Sequence, residues 1–176
     1  MRADKMQGQL LAWPAPQMAQ RGDRAGIVSV VEVVSYLEAI AEALISGLSA
    51  AGKVVLKIDA GRRFTLPLQR VAPLGLIVGE LVANSIKYAH PTGVVGLIKI
   101  SASRRDGANI VTISDDGVGL PEGLDPLASE HPGFVRIRSL ASRLGASLSY
   151  HNGGLGLNCS VSLPYAEVAF RAAKVS

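Results

Sequence analysis

Residues 73–89 carry a helical pattern that is apolar over most of its circumference and is broken by one narrow polar stripe. At about 100° per residue, Ile77, Leu81 and Tyr88 fall on one line, and Val78, Val82, Ala83 and Ile86 cover most of the rest. A helix apolar nearly all round is expected to be buried. Glu80, Asn84 and Lys87 nevertheless recur at i, i+4 and i+7. A buried carboxylate, amide and ammonium each need a partner. Whatever the chain folds into must therefore set protein, metal or ligand against that stripe. Ser85, the one hydroxyl in the apolar arc, is small enough to be buried by bonding back to the preceding turn.

The 176 residues suit one domain with a sizeable core, and 48% hydrophobic against 18% charged residues is a globular composition. Aromatic residues are only 5%, so the core is aliphatic. A net charge of +4 fits a polyanionic ligand, but no basic run with interleaved aromatics points to nucleic acid. The single Cys159 excludes an intrachain disulfide, and it alternates with Leu157, Val161 and Leu163 as a core residue of a strand. The N-terminus lacks the basic start and apolar run of a secretory signal. Residues 144–166 carry no charge but are interrupted by Gly, Ser, Asn and His, so no membrane segment is read and a cytoplasmic protein is expected.

Residues 1–26, with Trp13-Pro14-Ala15-Pro16, read as a loose arm or linker. Residues 27–164 form the domain, and residues 165–176 form a tail open to a short helix. A first helix is predicted over 30–48 with Gly52 just past its end, followed by strands at 53–59 and 63–66. The buried helix follows, entered past Pro67 and Pro73. Strands at 94–103 and 109–115 flank the turn at Arg105-Asp106-Gly107. After a Gly- and Pro-rich loop, a helix over 134–144 is closed by Gly145. A last hairpin over 146–163 turns at Asn152-Gly153-Gly154. Strands joined by tight turns must be antiparallel. Helices alternating with such pairs predict an α+β, two-layer sandwich with helices on one sheet face.

On the strand 109–115, Val111 and Ile113 face the core, and the next position in phase is the carboxylate Asp115. Asp116-Gly117-Val118-Gly119 follows. Read blandly, this is an Asp-Gly turn. Read sharply, Asp115 accepts from something buried, such as the exocyclic amine of a base, while Gly117 and Gly119 let the backbone approach a flat ligand.

Together these residues carry a resemblance. Glu80-x-x-x-Asn84-x-x-Lys87-Tyr88 resembles the N box of the sensor histidine kinases, and Asp115-Asp116-Gly117-Val118-Gly119-Leu120 resembles their G1 box. Over residues 27–164 the chain is similar to the ATP-binding domain of that family, in the superfamily shared with DNA gyrase and the mismatch-repair ATPases. Pro73-Leu74-Gly75-Leu76-Ile77 and Tyr88-Ala89-His90-Pro91 resemble in particular a branch common in alphaproteobacteria. The resemblance implies a Bergerat-type fold with a mixed, mostly antiparallel sheet. It also implies a nucleotide site for ATP and Mg²⁺. Asn84 would ligate the metal through its amide oxygen. Lys87 and Tyr88 would reach the phosphates, and Glu80 would orient a water, as the general base does in hydrolytic relatives. Asp115 would read the adenine amine, and Gly117 and Gly119 would form the floor under the base.

The family's third motif, Gly-x-Gly-x, falls on His131-Pro132-Gly133-Phe134. His131 and Gly133 are carried across as phosphate-loop residues. Pro132 has no N–H to offer a phosphate, so the departure bears on the γ-phosphate rather than on adenine. None of the three histidines, His90, His131 and His151, lies on a candidate phosphoacceptor helix. The expected function is a histidine kinase catalytic domain that passes phosphate to a histidine on a separate dimerisation domain or protein. The chain would be an excised or free-standing domain, monomeric, in a two-component system. The alternatives are a degenerate module that docks a response regulator or anti-sigma partner, and slow ATP hydrolysis with Glu80 as base.

Overall fold

The computed structural model describes residues 18–23, 26–152 and 155–165, with side chains from Val30 onward. Trp13, the first part of the expected arm and the C-terminal tail beyond Tyr165 lie outside the described residues.

Two strands open the fold, β1 (Met18–Asp23) and β2 (Gly26–Glu32), paired antiparallel. An arm was expected over most of this stretch. Helix α1 (Val33–Gly47) therefore starts three residues later than the periodicity of its valines suggests. Val30 and Val31 are equally at home in a strand. Glu32 decides the boundary. Its carboxylate accepts from the backbone N–H groups of Val34 (3.1 Å) and Ser35 (2.9 Å), and also holds Arg63 Nη1 at 2.9 Å. Glutamate is not among the favoured capping residues, which is why the sequence hid this start.

Burial alone would push the Glu32 carboxyl up, but the hydrogen bonds from Ser35 and Val34 and the Arg63 charge hold it below the ordinary 4.5. Glu32→Ala is expected to destabilise the domain by about 1 kcal/mol, as loss of a helix cap does. Because the folded-state pKa is depressed, that contribution is present above pH 4.5 and is lost as pH falls below it. Urea unfolding at pH 7 should separate wild type from variant, and the gap should close in acid. A gap of the same size at both pH values would exclude this origin.

β3 (Val54–Asp59) and β4 (Thr65–Pro67) follow, but they do not pair with each other as neighbours in sequence were expected to. β4 joins β2 in a three-stranded sheet of order β1-β2-β4. β3 lies parallel to β5 (Gly96–Arg105) at the edge of the main sheet. The main sheet has the order β3-β5-β6-β8-β7, with β6 (Ala108–Asp115), β7 (Ser147–Asn152) and β8 (Leu157–Pro164) all antiparallel to their neighbours. It is thus mixed and mostly antiparallel, as expected.

The long helix α2 spans Leu68–Tyr88, starting before Pro73 rather than at it. Pro73 removes the bond to the carbonyl of Gln69. Gln69 is exposed in the first turn, where solvent can replace that donor. α1 lies close against α2 at Gly75, where an added Cβ would come within 2.8 Å of Ile40 and 2.9 Å of Tyr36. Helix α3 (Pro132–Leu144) ends on Gly145 in the left-handed conformation, as predicted.

The inner sheet face carries Ile98, Ile100, Val111, Ile113, Val161 and Leu163, all buried under the helices. The opposite face is hydroxyl-rich. Ser101, Thr112, Ser160 and Ser149 run across four strands in register, with Thr112 and Ser160 hydrogen-bonded at 2.9 Å. Only one face therefore attracts helices, which gives the two-layer α+β sandwich. No helix among the described residues is long and apolar enough to cross a membrane.

Candidate functional site

Between α2, the end of β6, the loop after it and the start of α3 lies a cavity of about 280 Å³. Its walls are mainly apolar, with Leu81, Ile113, Leu124, Phe134 and Leu157 among them. The polar stripe of α2 divides at this cavity. Asn84 lines it. Glu80 turns instead to Arg136 on α3, with Oε2 2.8 Å from Nη1, and is mostly buried while Arg136 is half exposed. Lys87 and Tyr88 are exposed at the C-terminal end of the helix, where Tyr88 borders the cavity.

Asp115 stands where the strand pattern placed it, at the inner end of β6 on the cavity wall. Three donors fix its carboxylate. Oδ1 accepts from the backbone N–H of Gly117 at 3.1 Å and of Leu157 at 3.2 Å. Oδ2 accepts from Ser85 Oγ at 2.8 Å. The serine thus does not bond back to its own helix as its local context suggested. Its partner is 30 residues away, which no local pattern encodes.

The loop after Asp115 is fastened to the end of α2. Gly117 lies directly on Ala89, so a Cβ there would overlap the Ala89 carbonyl, and Val118 N–H donates to that oxygen at 2.9 Å. Asp116 Oδ1 accepts from Leu97 N–H at 2.7 Å and meets His90 Nε2 at 2.8 Å. Burial would raise the Asp116 carboxyl, but these two partners hold it below the ordinary 3.8. Gly119 has φ +71° and touches Asn152, whose side chain brackets Leu120 by accepting from its N–H (3.0 Å) and donating to its carbonyl (3.2 Å).

At the other lip, His131 is the N-cap of α3, and its Nδ1 accepts from Gly133 N–H at 3.3 Å. Pro132 occupies the first helical position. There its missing N–H would have had no helical partner, so the proline starts the helix rather than impairing it. The remaining loop is held from α3, with Arg138 Nη1 donating to the carbonyls of Pro126 (2.8 Å) and Ser129 (2.7 Å). Phe134 stands edge-on between the rings of His131 and Tyr150. Cys159 lies buried at the cavity floor, where burial pushes its thiol up to about 12. It is protonated at neutral pH and acts as wall, not nucleophile.

The structure thus brings Asn84, Tyr88, Asp115, Gly119 and His131 to one cavity. Gly117 lies beneath its loop, and Glu80 and Gly133 are in mutual contact at the start of α3. Ser85, Gly156 and Leu157 were not legible as site residues, nor was the pairing of Glu80 with Arg136. Gly156 packs on the backbone of Asp115 with φ +83°. A hydroxyl in an otherwise apolar arc was the one signal available, for Ser85. Chemically, an apolar slot with one fixed carboxylate suits a flat ring bearing an amine.

The chain is similar to known proteins over most of its length. The family model described as histidine kinase-, DNA gyrase B-, and HSP90-like ATPase matches residues 69–166. Blue-light-activated histidine kinase 2 of Erythrobacter litoralis is 27% identical over 139 residues, 78% of this chain and 40% of that protein. Sensor histidine kinase PdtaS of Mycobacterium tuberculosis is 35% identical over 78 residues, 44% of this chain and 16% of that protein. The chain therefore spans less than half the length of these curated relatives. Among solved structures, the histidine kinase domain of the Erythrobacter litoralis EL346 protein superposes with a TM-score of 0.71 at 23% identity, covering 93% of this chain and 80% of that one. The ATP-binding domain of PrrB from Mycobacterium tuberculosis gives 0.62 at 23% identity, over 77% of this chain and 95% of that one. The chain belongs to the histidine kinase-, DNA gyrase B-, and HSP90-like ATPase family, as an ATP-binding domain of the sensor histidine kinase type.

Proposed function

We propose that the chain is the Mg-ATP-binding catalytic domain of a two-component histidine kinase, and that it donates the γ-phosphate to a histidine on a separate dimerisation domain or protein. The observation that supports this reading most is the Asp115 carboxylate, pinned by three donors on the wall of an apolar cavity that Asn84 also lines. A half-buried acceptor held in this way suits a ligand donor, and the adenine amine is such a donor. The apolar walls fit the faces of the base.

The donor set also fits Mg²⁺. No three His, Cys, Asp or Glu side chains gather to hold a metal among the described residues. Mg²⁺ is commonly held by one or two protein oxygens plus phosphates and water, and the Asn84 amide offers one such oxygen. When bound, the ion would neutralise phosphate charge. Lys87 and Tyr88, exposed at the helix end, would meet the phosphates. Glu80 would orient a water from its place beside Arg136. His131 and Gly133 would close the phosphate end. Phosphoryl transfer asks mainly for positioning and charge from the donor domain. The alternative, a degenerate module, rests on the atypical His131-Pro132-Gly133 stretch, since Pro132 starts the helix but has no N–H to offer a phosphate.

Titration of the full chain with a fluorescent ATP analogue, with and without Mg²⁺, tests the binding. Incubation with labelled ATP and an isolated phosphoacceptor domain tests the transfer, the product being acid-labile and base-stable. No binding of the analogue would sink the proposal. Binding without transfer to any acceptor, with ATP turnover lost in Glu80→Ala, would replace it with hydrolysis.

A further inference from the structure

We infer that Ser85 is a second reader of the base: with Asp115 it selects a purine bearing an unsubstituted 6-amino group over 6-oxo and N6-substituted purines. The inference rests on the ATP-site reading and adds to it a second base-reading residue and the exclusion of N6-substituted purines.

The argument is an accounting of lone pairs. A carboxylate oxygen has two acceptor positions. Those of Asp115 Oδ1 are taken by the N–H groups of Gly117 and Leu157. One position on Oδ2 is taken by Ser85 Oγ. A single acceptor position is left on Oδ2. The serine hydroxyl has one proton, and it is committed to Asp115. What Ser85 can still offer is acceptor capacity only. Both residues line the cavity, with the two oxygens 2.8 Å apart.

A primary amine seated between the two acceptors can turn one N–H toward each, though at 2.8 Å separation both bonds are bent. An N6-methyl amine has one N–H and satisfies only one of them. A 6-oxo base brings a third acceptor to the same place. Turning the Ser85 proton toward that carbonyl would strip Asp115 Oδ2 of its donor and leave the carbonyl beside a carboxylate oxygen. Ser85 thereby strengthens the preference beyond what Asp115 alone provides, since an acceptor left unpaired against a mainly apolar cavity is costly.

The test is calorimetric titration of the full chain with Mg²⁺ complexes of ATP, N6-methyl-ATP and inosine triphosphate. Wild type should bind N6-methyl-ATP about three- to tenfold more weakly than ATP, the worth of one hydrogen bond. In Ser85→Ala, affinity for ATP should fall by a similar factor, and the N6-methyl penalty should shrink to about twofold or less. Ser85→Thr, which keeps the hydroxyl, should restore both. A serine that merely orients Asp115 predicts something else: Ser85→Ala would weaken ATP and N6-methyl-ATP in parallel, leaving the penalty intact. That result overturns the inference while the ATP-site reading stands. Equal binding of ATP and N6-methyl-ATP by wild type overturns it without any variant. Failure of wild type to bind ATP overturns both readings.

Discussion

Asp115→Asn is expected to weaken ATP binding by about 3 kcal/mol, on the order of a hundredfold in Kd. The substitution keeps shape and volume, so the loss comes from hydrogen-bond polarity. An amide must place its NH₂ on one side. If the NH₂ replaces Oδ1, it faces the N–H groups of Gly117 and Leu157, donor against donor. If it replaces Oδ2, Ser85 can turn and accept from it, but the adenine amine then meets a donor instead of an acceptor. Either orientation leaves a donor without a partner in a mainly apolar site, and the second removes base recognition outright. Calorimetry on the folded variant measures the effect. As a second readout, saturating ATP should raise the melting temperature of wild type and leave that of Asp115→Asn nearly unchanged, because stabilisation follows the ratio of ligand concentration to Kd. Unaltered affinity in a folded variant would exclude Asp115 as the base reader.

What the sequence made legible is what has a short period. Helix α2 announced itself by an apolar arc at 3.6-residue spacing, and Asp115 by falling in phase with Val111 and Ile113 on a two-residue alternation. These patterns predicted that Asn84 and Asp115 would be partly enclosed, and they meet at one cavity. The hidden contacts are long-range and leave no periodic trace. Ser85 reaches Asp115, and Glu80 reaches Arg136 across 56 positions. A serine in a helix interior has a local alternative, bonding to its own preceding turn, and sequence cannot weigh that against a carboxylate on another element. The same limit explains β3 and β4. Both were read as strands, but pairing partners depend on where the intervening helices dock. β3 paired forward with β5 and β4 back with β2. At α1, four valines in five positions satisfy strand and helix alike, and Glu32 settles the matter through Ser35, Val34 and Arg63.

Gly156→Ala should be the most damaging single-methyl change near the site, costing about 3 kcal/mol of stability through backbone strain and steric overlap together. Gly156 precedes Leu157, which donates to Asp115, and has φ +83°. A Cβ there would overlap the carbonyl oxygen of Asp115 and stand 3.0 Å from Oδ1. The obstacle is main chain on a central strand, so it cannot swing aside as a side-chain tip would. Gly107→Ala provides the comparison. It has φ +76° in the β5–β6 turn, but a Cβ would meet nothing within 4 Å. That variant should therefore show the conformational cost alone, about 1 kcal/mol, with ATP affinity unchanged. Relieving the overlap at residue 156 must push β8 and the end of β6 apart, which draws the Leu157 N–H away from Asp115. Binding should then fall at least tenfold even at temperatures where Gly156→Ala remains folded, because a carboxylate that loses a fixing donor is no longer held for the base. Chemical denaturation gives the first quantity and calorimetry the second. If Gly156→Ala lost no more stability than Gly107→Ala and bound ATP normally, the close seating of β8 on Asp115 would not be what holds the site in shape.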